Sequence, residues 1–116
     1  MNKKIKKLPK ENLAWVDPHT GAQFHAGVAF YDEQFGEYRL VLDGPRTVFN
    51  LKPVESNNRE VNYKVYCPIT INGRFSHKVE MGHGHSNQQT NGDILITIGR
   101  YGSMRLLLPK LEKKVA

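Results

Sequence analysis

Apolar and polar residues alternate with a period of two through much of this chain, which is the pattern of β-strands. The even positions of residues 22–31 are apolar and are expected to face a core: Ala22, Phe24, Ala26, Val28 and Phe30. After a turn-like segment at residues 32–36, the alternation resumes in Tyr38, Leu40 and Leu42. The two segments therefore predict a β-hairpin.

The longest alternating run covers residues 61–71 and keeps its apolar side chains on odd positions: Val61, Tyr63, Val65, Cys67, Ile69 and Ile71. A shorter strand is predicted before it at residues 47–52, ended by Pro53. Pro68 lies within the long run, and a proline has no N–H to donate to a neighbouring strand. We therefore expect this strand to lie at a sheet edge, to bend, or to carry a bulge near residue 68.

The sequence Asn72-Gly73 usually marks a two-residue hairpin turn. That register would pair Ile71 with Arg74 and place Cys67 opposite Lys78, which mixes apolar and charged side chains on one face. The apolar set that follows shares its parity with Ile71: Phe75, His77, Val79 and Met81. A three-residue loop or a compensating bulge is therefore expected here.

Residues 82–92 contain almost nothing to bury and predict a long loop, a candidate functional element. A last hairpin follows, with two apolar sets: Ile94, Ile96, Ile98, then Met104, Leu106, Leu108. Leu107 makes the final strand apolar on both sides, so its outer face is expected to be covered.

Six to eight short strands with turn signals every 8–14 residues indicate an all-β fold. We predict a small single-domain antiparallel barrel or sandwich over residues 11–109, with an OB-like Greek-key barrel as the first expectation. Residues 1–10 are predicted to form a flexible basic arm and residues 110–116 a basic tail. The length of 116 residues suits one domain.

Charge is concentrated at the two ends of the chain. The formal net charge is +6, of which residues 1–10 contribute +5 and residues 109–116 contribute +2, so residues 11–108 sum to −1. Within that body, residues 11–60 hold four basic and eight acidic side chains, whereas residues 61–108 hold five and two. A basic binding face therefore has to come from the second half of the body.

Several function classes are disfavoured by what the sequence lacks. No apolar window has the length of a membrane span or a signal peptide, so we expect a cytoplasmic protein that does not bind membranes. The single cysteine, Cys67, excludes an internal disulfide, and its apolar parity predicts that it packs as a small hydrophobe. No catalytic or nucleotide-binding motif is recognisable, so no enzymatic activity and no cofactor are predicted.

Two histidines, His83 and His85, lie in the glycine-rich segment, with His77 and His25 elsewhere in the predicted sheet. Such imidazoles could surround a transition metal. Nothing in the spacing supplies a carboxylate or a third ligand beside the pair, so a metal site at His83 and His85 is the weakest of the binding hypotheses.

An aromatic and basic set forms the leading hypothesis. Tyr31, Tyr66 and Tyr101 fall on the parity opposite the expected core, where basic side chains also lie. Bases stack on such rings while cations contact phosphates. Single-stranded DNA or RNA is therefore the predicted ligand, and these are the predicted binding residues: Lys64, Tyr66, Arg74, Lys78, Arg100, Tyr101 and Arg105.

Two alternatives stay open. Outward tyrosines and long basic side chains also decorate ordinary sheets without binding anything. The protein could instead be a protein-interaction or accessory subunit that engages a partner, or a second copy as a homodimer, through an exposed edge strand, a self-association surface or the segment 82–92.

Overall fold

The computed structural model describes residues 10–44, 47–57 and 59–109, and these form eight antiparallel strands closed into one barrel. The strands are β1 (Lys10–Val16), β2 (Gln23–Asp32), β3 (Glu37–Leu42), β4 (Thr47–Ser56), β5 (Glu60–Ile71), β6 (Arg74–Asn87), β7 (Ile94–Ile98) and β8 (Arg105–Leu108). A short 3₁₀ helix, Gly99–Tyr101, links β7 to β8. Among these residues no helix is long and apolar enough to cross a membrane.

The barrel is an up-and-down meander, because each strand pairs with its neighbours in sequence and β8 pairs with β1. The all-β antiparallel barrel is thus confirmed. The OB-like Greek-key order is not the one found, since a Greek key places strands side by side that are distant in sequence. The flexible basic segment was predicted over residues 1–10, but Lys10 is the first residue of β1; residues 1–9 and the predicted tail at residues 110–116 lie outside the described residues.

Fully buried apolar side chains come from every strand except β6, which contributes the buried Gly84 and the half-buried Met81 at the margin of the core. The buried set is Leu13, Ala26, Ala29, Leu40, Leu42, Phe49, Leu51, Val65, Ile94, Ile96, Ile98, Leu106 and Leu108. Cys67 is half-buried and packs at the margin of this core, as its parity predicted. An eight-stranded barrel has an interior just wide enough for side chains to fill, and the buried set occupies it here.

Aromatic rings lie at both ends of the barrel. One end of the barrel is the end at which the β5–β6 hairpin turns, and we call it the arm end. There the Tyr101 ring centroid lies 5.0 Å from that of Trp15 and 6.4 Å from that of Phe49. At the other, the termini end, where β1 begins and β8 ends, Tyr31 and Tyr38 pack edge to face at 4.9 Å. The rings restrict the access of water to the aliphatic layers between them.

In strand β2, some of the side chains that were predicted to face the core lie on the outer surface instead. Register with β1 shifts between Leu13, opposite Gly27, and Ala14, opposite His25, so Ala26 is an extra residue. This bulge reverses the parity of the rest of β2. Ala29 therefore faces the core, while Val28 and Phe30, which were predicted to face inward, lie on the outer surface.

One strand was not predicted, and another is longer than predicted. β1 was not anticipated, although Leu13 and Trp15 alternate with polar or small neighbours. β4 continues through Pro53 to Ser56 with a register shift at Pro53/Glu55, so the proline did not end the strand. Bulges absorb such irregular residues without ending the ladder.

The predicted loop at residues 82–92 is wrong for its first half, since Gly82 to Asn87 belong to β6 and only residues 88–93 form a turn. The glycines explain the error. A Cβ on Gly82 would overlap the carbonyl oxygen of Thr97 and lie 3.0 Å from the Cα of Ile98. Backbone approaches backbone here, which needs glycine and leaves no apolar side chain to signal a strand.

The β5–β6 hairpin extends beyond the barrel. Tyr66 is the last β5 residue paired with β4, and Gly82 is the first β6 residue paired with β7. We call residues 67–81 the arm. Its strands pair only with each other in the described structure, so Pro68 lies on an edge, as one of its alternatives predicted.

The turn of the arm contains both a two-residue hairpin turn and a compensating bulge. Ile71 does pair with Arg74 around a two-residue turn, in which Asn72 and Gly73 have φ of 54° and 77°. A register shift between Ile69 and Thr70 then compensates, and it places Cys67 opposite Val79. The bulge was therefore predicted correctly and the three-residue loop was not.

Substitution of Gly82 by alanine is expected to destabilise the fold by about 1–3 kcal/mol, because the new Cβ overlaps the backbone of β7. Gly99→Ala is the matched control, since its Cβ would have the Met81 carbonyl oxygen as nearest atom at 4.0 Å. Urea unfolding measures both free energies. Equal stability of the two variants would contradict the close contact.

The tyrosines at the termini end should make stability sensitive to alkaline pH. Burial first, then the neighbouring Tyr38 and Tyr31, raises the pKa of Tyr63 from 10.0 to about 12. Between these values the unfolded chain loses the Tyr63 proton while the folded chain retains it, so the free energy of unfolding falls as pH rises. Tyr63→Phe should show a shallower fall from pH 10 to 12 in urea titrations, and parallel curves for the two proteins would refute this role.

Candidate nucleic-acid interface

Three of the predicted binding residues meet on the outer face of β5 and β6. The Nζ of Lys78 lies 4.5 Å from the centroid of the Tyr66 ring, and the Nζ of Lys64 lies 3.2 Å from the Oε1 of Glu80. All four side chains point outward because the neighbouring Val65 faces the core. Their cluster joins the arm to the barrel wall.

Two predicted outward tyrosines face inward instead. Tyr101 packs on Trp15 and Phe49 at the arm end, because the 3₁₀ helix folds its ring over the barrel mouth. Tyr31 shares the inward parity of Ala29 after the β2 bulge and packs on Tyr38. Both rings therefore pack against other aromatic rings at the barrel ends, away from the cluster on the outer face of β5 and β6.

The three arginines lie at separate places. Arg74 occupies the tip of the arm beside the turn, whereas Arg100 belongs to the 3₁₀ helix with its guanidinium 5.8 Å from the Tyr101 ring centroid. Arg105 begins β8 on the outer face. The predicted set is thus brought together only in part.

The register nevertheless aligns Arg105 with Lys64 through intervening strands. Lys64 pairs with His83, His83 with Thr97, and Thr97 with Arg105. Directly opposed residues in an antiparallel sheet share a face. Lys64 is also opposite Lys52 of β4, so this line of paired residues crosses five adjacent strands and has basic side chains on four of them.

We call this set the basic row: Lys52, Lys64, His83 and Arg105, each of them exposed. Four inter-strand steps of about 4.8 Å make the row roughly 19 Å long. Within the described part of the chain, neither Lys52 nor Arg105 forms an ion pair, while Glu80 contacts Lys64. The row is therefore a local positive surface on a nearly neutral body.

Sequence reasoning missed Lys52 and His83 as members of this surface. Lys52 directly precedes Pro53 in a strand that was expected to end there, and His83 was placed in a loop. The alternation of Leu51 and Lys52 signalled an outward lysine, but only the strand register shows which residue it faces.

The histidine pair does not assemble a metal site. His83 and His85 both lie on the outer face of β6, with Lys64 and Asn62 as their β5 partners. Across the described ranges, no group of three or more His, Cys, Asp or Glu side chains is placed to hold a metal ion. Two close histidine contacts lie elsewhere: the Nε2 of His25 is 3.0 Å from the Oδ2 of Asp43, and the Nδ1 of His77 is 3.0 Å from the Oγ of Ser76.

Comparisons with protein families, with curated proteins and with solved structures return no match for this chain.

Proposed function

We propose that this protein is a non-enzymatic module that binds single-stranded nucleic acid across the outer face of β4 to β8. The observation that carries the proposal is the basic row, in which four exposed basic side chains from four different strands line up along one register. Phosphates of an extended strand would follow the row, and bases would turn towards Tyr66. The lysines of residues 1–9 and 110–116 would add contacts that do not depend on base sequence.

Tyr66 is the stacking residue that the geometry supports best. Its ring is covered by Lys78 at 4.5 Å. An exposed cation–π contact is worth about 0.5–1 kcal/mol, whereas a base stacked on an aromatic ring contributes about 1–3 kcal/mol. A base can therefore displace Lys78 from the ring, and the released ammonium becomes available to the next phosphate.

The affinity should decline with salt in proportion to the phosphates that are contacted. For single strands the logarithm of the binding constant falls by about 0.7 per contact for each unit of log salt concentration. Three contacts from Lys52, Lys64 and Arg105 therefore give a slope of roughly −2 from the barrel wall.

The double change Lys52→Ala with Arg105→Ala tests the row. Each exposed charge contact contributes up to about 1 kcal/mol, so binding of a labelled single-stranded oligonucleotide should weaken roughly tenfold. The salt slope should also become shallower by about 1.4. Fluorescence anisotropy at several salt concentrations measures both quantities.

Arg59→Ala is the matched control, because Arg59 is an exposed arginine in the β4–β5 connection, beyond the ends of the strands that carry the row. It should leave affinity and slope close to those of the original chain. Equal losses in the control and the double variant would show that charge anywhere on the protein suffices, and the row would then have no special part.

Removal of the acid beside the row should have the opposite effect. Glu80→Gln releases Lys64 from its 3.2 Å ion pair and removes a negative charge from the surface. Binding should tighten by about two- to fivefold, which is the size of one exposed ion pair. Glu33→Gln, on the β2–β3 turn, removes the same charge elsewhere and should change the anisotropy titration little; a larger gain there would contradict the assignment.

A protein-interaction role is the second candidate, and one observation favours it. The arm exposes three large apolar side chains, Ile71, Phe75 and Val79, which a nucleic-acid backbone does not require. An exposed apolar group of this kind commonly marks a protein interface.

A further inference from the structure

The arm carries an apolar surface that the barrel does not cover. Ile71, Phe75 and Val79 are 56%, 66% and 40% exposed. Two-stranded hairpins without further packing are marginally stable in water, so an arm of this length gains from a partner. Its apolar side chains also exceed what a solvated turn needs.

The arm is better suited to contact through its faces than through its edges. On the β5 edge, Pro68 lacks the N–H that another strand would bind. On the β6 edge, the register shift opposite Ile69 and Thr70 interrupts the ladder, and bulges of this kind discourage strand addition. Edge pairing by the arm is therefore disfavoured.

Apolar groups lie on both faces of the arm. Ile71 and Val79 continue the inward face of the barrel, whereas Phe75 pairs with Thr70 and belongs to the opposite face near the tip. A flat partner would cover one face only. A groove that receives the tip would cover both.

Such a groove lies on the outer face of β2 to β4. It has a volume of about 810 Å³, and its lining includes apolar Phe30, Val41 and Val48 with the acids Asp32 and Glu33 at the β2–β3 turn. Arg39 also contributes to the lining. The bulge at Ala26 creates this surface, since it turns Phe30 outward.

The arm and the groove are complementary in charge as well as in polarity. Over residues 67–81, Arg74 and Lys78 oppose Glu80, which gives +1 with histidine neutral, while Asp32 and Glu33 against Arg39 give the groove −1. The same asymmetry runs through the body, whose acidic side chains concentrate in residues 11–60. Docking would join the basic half of one molecule to the acidic half of another.

An arm cannot reach the groove of its own chain. The arm leaves the barrel at the arm end, while the groove extends to the β2–β3 turn at the termini end. The five β5 residues of the arm reach about 16 Å away from the barrel wall. The occupant must therefore come from another molecule.

We propose that the arm of one copy inserts into the β2–β4 groove of a second copy, so that the protein self-associates head to tail. The contact is heterologous, because the two copies present different surfaces, and it repeats until a ring closes or a filament forms. This association does not depend on nucleic-acid binding.

Complementation between two variants tests the proposal on the nuclease-treated 116-residue chain at moderate salt. The arm variant, Ile71→Ser with Phe75→Ser, leaves the groove intact. The groove variant, Glu33→Lys with Val48→Lys, leaves the arm intact. Light scattering should give the chain mass of 13.3 kDa for each variant alone and a concentration-dependent larger mass for the original protein.

An equimolar mixture of the variants should stop at twice the chain mass, because one intact arm meets one intact groove and no further contact remains. Circular dichroism checks that both variants keep the β fold. A monomeric original protein at all concentrations would overturn the proposal, and so would a variant that associates as the original does. A mixture that stays monomeric would refute head-to-tail docking, whereas a groove variant that still dimerises alone would indicate a symmetric arm-to-arm contact instead.

Discussion

Closure of the sheet is the constraint on which the rest of the structure depends. β8 pairs with β1 through three residue pairs, Ala14 with Leu107, Trp15 with Leu106 and Val16 with Arg105. This short seam removes both edges of the sheet and encloses the buried core. The seam includes Arg105, which the pairing of β8 with β7 places at one end of the basic row.

Bulges are the means by which the chain meets this constraint. Each adds one residue to a strand and exchanges the inward and outward sets beyond it. The bulge at Ala26 moves Phe30 to the surface and brings Tyr31 inside. In β6, Val79 and Gly82 have opposite parity, but the register shift between Val65 and Tyr66 places both on the inner face. One candidate groove and one apolar arm therefore both originate from changes of parity.

The sequence predicted those parts of the fold in which alternation is uninterrupted. Leu40 and Leu42, the isoleucines of β7, and Leu106 and Leu108 all face the core as expected. Prediction failed where a bulge changes the parity within a strand, as at Phe30, and where glycine replaces apolar side chains, as at Gly82. Both are cases in which contact between strands, and not local pattern, decides the facing.

The residues of the candidate site could also be predicted only where they lie in regularly alternating strands. Lys64, Tyr66 and Lys78 lie in a strand pair with a readable outward face, and the structure brings them together. Tyr101 was misplaced because it belongs to a connection, where alternation carries no information about direction. Alternation also cannot tell whether an apolar face has a core beneath it: Val65 and Ile71 share one parity in β5, yet the first is buried and the second is 56% exposed. The exposure of Ile71, together with that of Phe75 and Val79, is therefore the feature on which the proposed docking of the arm rests.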